Sequence, residues 1–132
     1  MHKLAQVFRT AQFYAHASHN LSKGDTFFAD HEYLGELYSA YEAAYDSIIE
    51  RMIGLGESFE INTITLDAAT EFASYKHGST NECFDILYGL EKEICDCIDN
   101  TKEGTTFGTQ NLLQGLADES EMRQYKLGQR LK

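Results

Sequence analysis

The sequence predicts an all-α fold: a four-helix bundle with one long crossover that carries a short helix. Three observations predict it. Proline is absent from all 132 residues, which removes the usual turn punctuation of a small all-β domain. Apolar residues recur at three- and four-residue spacing over four long stretches, the pattern of a helix with one buried face. The apolar share is 42%, with eight Tyr and eight Phe to give the core bulk. No repeat, linker or low-complexity tract divides residues 1–132, so one domain is expected.

The first helix is read over 3–21, where Leu4, Val7, Phe8, Ala11, Tyr14, Ala15 and Ser18 keep the helical period. Lys23-Gly24-Asp25 ends it, with Asp25 or Thr26 as a cap for the next helix. The second helix spans 26–53 and carries Leu34, Leu37, Tyr41, Ala44, Tyr45, Ile48 and Met52; Gly54 and Gly56 close it. Residues 57–66 (ESFEINTITL) are β-branched and irregular, so they read as a non-helical crossover. A short helix over Asp67–Tyr75 is placed within it, with Thr65 as its cap. Gly78-Ser79 breaks the pattern before a long helix over Thr80–Thr101. Gly104 interrupts again before the last helix, Thr106–Leu131. Two long helices, a connection of about 25 residues and two more long helices give the ferritin-like bundle topology. Cytokine-like and generic bundles fit the same pattern.

Eleven basic against 21 acidic residues leave a formal net charge of −10. That argues against binding nucleic acid through the protein's own basic surface, because phosphate neutralisation supplies most of such affinity. It also argues against a polybasic membrane anchor. No apolar run reaches the ~18 residues of a membrane span, and MHKLAQVF has no basic-then-apolar leader pattern. Cys83, Cys95 and Cys97 fit no paired zinc spacing; they read as reduced, small apolar residues of a cytoplasmic protein.

Residues able to ligate a metal gather in the first half: His16, His19, Asp30, His31, Glu32, Glu36, Asp46 and Glu50. No Glu is followed three residues later by His, so the Glu-x-x-His signature of an intra-bundle di-iron centre is missing. Asp46 and Glu50, four apart, share one helical face. His19 and His31 flank the first turn and can approach each other. His31 and Asp46, however, lie fifteen residues apart on one helix, roughly 22 Å. A site that uses all four needs two antiparallel chains about a two-fold axis, with His19 and His31 from one and Asp46 and Glu50 from the other.

His19-Asn20, Gly24, Phe27, Ala29 and His31-Glu32, followed by Asp46-Ser47-Ile48-Ile49-Glu50-Arg51, resemble the Dps family of mini-ferritins, the DNA-binding proteins from starved cells. The twelve-residue step from His19 to His31, the fifteen-residue step to Asp46 and the D-x-x-x-E-R motif match without a gap. The resemblance implies a hollow homo-dodecamer built on active two-fold dimers. It implies ferroxidase sites that bind Fe(II), oxidise it with hydrogen peroxide and store ferric iron, against oxidative damage. Carried over, His19 and His31 would bind iron from one subunit, and Asp46 and Glu50 from its partner, with Glu50 bridging.

The chain departs from that family in three places. Gly35 stands where an Asp usually supplies a further ligand, which predicts a weakened site; Asp30, Glu32 and Glu36 are the nearest substitutes. The Lys-rich tails that bind DNA have no counterpart, so DNA binding is expected to be weak or absent. Asn20 replaces a tryptophan after the first histidine. An alternative function follows: a ferroxidase-impaired cage that acts as a structural or binding shell. Tyr38, Tyr41 and Tyr45 are expected to pack, and His16 to flank the site. Asp118, Glu119 and Glu121 read as a solvated face. By analogy, Glu91, Glu93, Asp96 and Asp99 are expected to face a cavity and help nucleate mineral.

Overall fold

The computed structural model describes all of residues 1–132. Five helices and no strand follow one another: α1 (His2–Leu21), α2 (Phe27–Gly54), α3 (Ile61–Ser74), α4 (Thr80–Thr101) and α5 (Phe107–Arg130). The four long helices keep the predicted spans to within a residue or two. Gly24, at φ 95°, makes the turn between α1 and α2, a conformation that costs glycine alone little. Ser79 and Thr106 cap α4 and α5 by accepting from the backbone N–H of Glu82 and Thr109, which satisfies donors orphaned at a helix start.

The crossover differs from expectation. α3 begins at Ile61, not Asp67, and Thr65, the expected cap, lies inside it and donates its hydroxyl to the Ile61 carbonyl. Tertiary packing explains why a β-branched stretch is helical. Ile64 and Ala68 are buried one turn apart, Phe72 meets Phe13 of α1 edge-on, and Thr10 of α1 reaches the Ala68 carbonyl. A face docked on α1 outweighs the modest helix penalty of Ile and Thr.

One core cluster of 25 residues draws on all five helices. α1 packs on α2, α3 and α4, and α4 packs on α5. α1 and α2 run antiparallel, as successive contacts along them show. Arg9 stacks on Tyr45, Gln12 bonds Glu42, His16 stacks on Tyr38, and His19 stacks on His31. At the His31 end, Arg130 of α5 donates to buried Asp30 of α2 and to Asn81 of α4, and so ties three helix ends together. No helix is long and apolar enough to cross a membrane.

Candidate metal centre

The Gly24 turn brings the end of α1 against the first turns of α2, and two imidazoles meet there. The rings of His19 and His31 stack with centroids 3.7 Å apart and planes 23° apart. Each ring hydrogen-bonds the other residue's backbone. His19 Nδ1 lies 2.7 Å from the His31 carbonyl, and His31 Nδ1 lies 2.9 Å from the His19 carbonyl. A carbonyl can only accept, so both Nδ1 atoms carry a proton, and in the neutral imidazole that leaves the lone pair on Nε2. A hydrogen bond that fixes the tautomer and leaves the other nitrogen open is what a ligating histidine needs. The His19 carbonyl belongs to the last turn of α1, where helical partners run out; the Ser22 hydroxyl also donates to it at 2.9 Å. Phe27 stacks on the outer side of His31, and Tyr38 meets His19 edge-on. Both histidines are half-buried, so the pair is held without being sealed.

Gly35 lies one turn beyond His31. A Cβ added there would stand 3.3 Å from His19 Cε1 and 3.4 Å from Nδ1. The position expected to have lost a ligand therefore faces the edge of the His19 ring at close contact. The proposed substitutes do not fill the gap equally. Asp30 is buried and bound to Arg130 and Thr26. Burial alone would raise its pKa, but those two hydrogen bonds outweigh it and hold the carboxyl below its ordinary range. Glu36 lines a groove between α2 and α5 together with Arg123 and Lys126. Glu32 is exposed.

Asp46 and Glu50 are exposed on α2 and take part in none of the chain's ion pairs. The helical repeat sets Asp46 about 60° and Glu50 about 100° around the axis from His31, so all three share one side of α2. Along the axis the acids stay roughly 22 Å or more from His31. Within one chain the structure unites His19 with His31 but not with the acids. No group of three or more His, Cys, Asp or Glu in the chain is placed to hold a metal. His16 is exposed and stacked on Tyr38, with its ring centroid 6.4 Å from that of His19.

A second polar cluster lies inside the bundle, and it corrects one expectation. Glu91 does not face a cavity: it is fully buried. It accepts from Tyr41 at 2.6 Å, from Arg123 Nε at 2.5 Å and from Ser120 at 2.6 Å. Burial and the adjacent Glu91 charge push the Tyr41 hydroxyl well above its ordinary pKa. Burial disfavours the Arg123 charge, but Glu91 outweighs it and holds the guanidinium above its usual value. Glu91 was signalled in the sequence, because it occupies the apolar stripe Phe84-Leu87-Glu91-Ile94-Ile98. Glu93 is half-buried beside Lys3, while Asp96 and Asp99 are exposed.

The arginines near the C-terminus are engaged, Arg123 with Glu91 and Arg130 with Asp30. Tyr41 and Tyr45 are core residues and Tyr38 packs on the histidines. All three cysteines are free thiols.

A search of curated proteins finds no match to the chain. A family model described as the ferritin-like domain matches residues 2–132, which takes in every helix. With five helices, no strand and a match over nearly its whole length, the chain belongs to the ferritin-like domain family.

Proposed function

We propose that this chain is a mini-ferritin of the Dps type, which oxidises Fe(II) at sites shared between two subunits and stores the ferric product. The observation that carries the reading is the His19–His31 pair, whose two Nδ1 atoms are spent on backbone carbonyls while two Nε2 lone pairs are left for a metal. Asp46 and Glu50 stand exposed on the same side of α2, too distant to join the pair in one chain. A second copy laid antiparallel across that side brings its acids to these imidazoles, and a two-fold axis makes both sites complete at once. Two imidazoles and two carboxylates suit iron without sulfur. Membership of the ferritin-like family, whose folds serve iron storage and ferroxidase chemistry, supports the choice of metal.

In this reading Fe(II) is the substrate. Each iron gives up one electron, and one hydrogen peroxide takes two. Its O–O bond breaks, two protons are consumed and two waters form for every two Fe(III) produced. The protein supplies ligands that hold the charge as it rises; storage needs a closed shell, for which a homo-dodecamer is the proposal. The engaged arginines and the net charge of −10 leave little basic surface for DNA.

The test adds Fe(II) and half-stoichiometric peroxide without air and follows ferric absorbance. His31→Ala and Glu50→Ala should each slow the parent's rate by at least tenfold while the particle keeps its sedimentation coefficient. Rates equal to the parent's would remove the site. An intact particle whose parent form binds no Fe(II) would favour a structural or binding shell.

A further inference from the structure

α2 buries Leu34, Tyr41, Ile48 and Met52 and turns a largely polar side outward. Two large apolar side chains break that polarity, Phe28 at 85% exposed and Ile53 at 62%, and they are the only two such residues on this helix. They stand at opposite ends of α2, roughly 37 Å apart, so neither can cover the other within one chain. Taken singly, an exposed apolar residue needs no explanation; the relation of these two to the proposed site does. We infer that Phe28 and Ile53 set the register of a two-fold contact between two copies of α2, each Phe28 packing on the partner's Ile53. The inference takes one relation from the proposed iron site, that His31 faces the partner's Glu50.

In an antiparallel pair the two chains count in opposite directions. With His31 opposite the partner's Glu50, three residues back sets Phe28 opposite the partner's Ile53. The line midway between His31 and Glu50 lies about 50° around the axis from each, and Phe28 and Ile53 both fall within about 10° of it. The apolar pairs therefore lie on the line of contact and the ligands flank it. A register with His31 opposite the partner's Asp46 fails this match. Phe28 would then face Ile49, which is buried in its own chain, and Ile53 would face the Gly24 turn. The favoured register also sets the partner's Asp46 opposite Gly35, beside the edge of the His19 ring. Each acid then meets its own imidazole, Asp46 at His19 and Glu50 at His31. Between the ends the seam is acidic, with Glu42, Asp46 and Glu50 on each copy, and like charges repel across it. In the metal-free protein the apolar ends must supply the attraction. Phe28 also meets Phe27 edge-on at 5.3 Å, and Phe27 stacks on His31 at 4.8 Å. Seating Phe28 on the partner thus braces the rings beside the site.

The test uses metal-free protein. Phe28→Cys and Ile53→Cys chains are refolded together and mildly oxidised, with the parent as control for its own three free thiols. Peptide mapping should find a disulfide between positions 28 and 53 of different chains. Neither variant alone should link through its new cysteine, because like positions lie roughly 37 Å apart in the pair. In a second arm, Phe28→Asp puts an acid in the first turn of α2 and Ile53→Lys a base in the last, charges that suit those helix ends, so helical circular dichroism should be kept. Phe28→Asp should weaken association at least tenfold in sedimentation over a dilution series, and adding Ile53→Lys should restore most of it. An assembled protein without the 28–53 bond, or a Phe28→Asp protein that associates as tightly as the parent, overturns the inference. A 28–53 bond in a protein that oxidises no iron keeps the interface and removes the iron reading. Iron oxidation without that bond keeps the site and removes this register.

Discussion

Two polar clusters in this molecule use their hydrogen-bonding capacity in opposite ways. In the bundle interior, Glu91 has both carboxylate oxygens and its carbonyl engaged by Tyr41, Ser120, Arg123 and Gln124. Every partner is inside the chain and nothing is left for a ligand. At the α1–α2 turn, each of two imidazoles uses one nitrogen on the backbone and keeps the other. The first cluster is saturated and serves the fold; the second is incomplete and is the one we propose to serve chemistry. A buried charge alone is thus a poor guide to function, and an oriented but unspent lone pair is a better one.

The sharpest break of this contrast is Glu91→Ala. Removing one partner strands the Arg123 charge in the core, and stability should fall by about 3–5 kcal/mol, read as a lower urea midpoint at an unchanged slope. Iron oxidation per folded subunit should not change. A large fall in that rate with stability intact would place Glu91 in the chemistry and dissolve the contrast.

Asp30 sharpens it next, because it adjoins His31 yet belongs to the structural group. Its pKa is lowered in the folded state, so its contribution is present above the unfolded carboxyl's range and is lost as pH falls through the folded value. Asp30→Asn should cost about 1–2 kcal/mol near neutral pH. The gap between variant and parent should close as both are taken below pH ~4. Thermal melts at several pH values read this directly; a gap that persists at low pH would contradict it.

The long helices were legible because one-sided burial writes a 3.6-residue period that few other structures share. α3 was only half legible. Its Ile64–Ala68 spacing is helical, but Ile61, Thr63 and Thr65 favour strands, and the deciding contact with α1 is not local. The histidines and acids were found through their spacing, and the length of α2 alone showed that one chain cannot unite them. Glu91 was misread because a cavity-facing role was carried over to it by analogy with the family. Its place in the stripe between Leu87 and Ile94, matched by Ser120 between Leu116 and Leu127 on α5, pointed to a buried network. The nearness of Gly35 to His19 could not be read, because that ring comes from another helix.

Complementation between two inactive variants tests the shared site most directly. His31→Ala and Glu50→Ala chains are unfolded together, refolded and assayed as a mixture. In a mixed dimer, one site carries both lesions and the other neither. Random pairing makes half of the dimers mixed, so about a quarter of the parent's oxidation rate should return. A mixture no faster than the sum of its two parts would show that each chain works alone and would contradict the account.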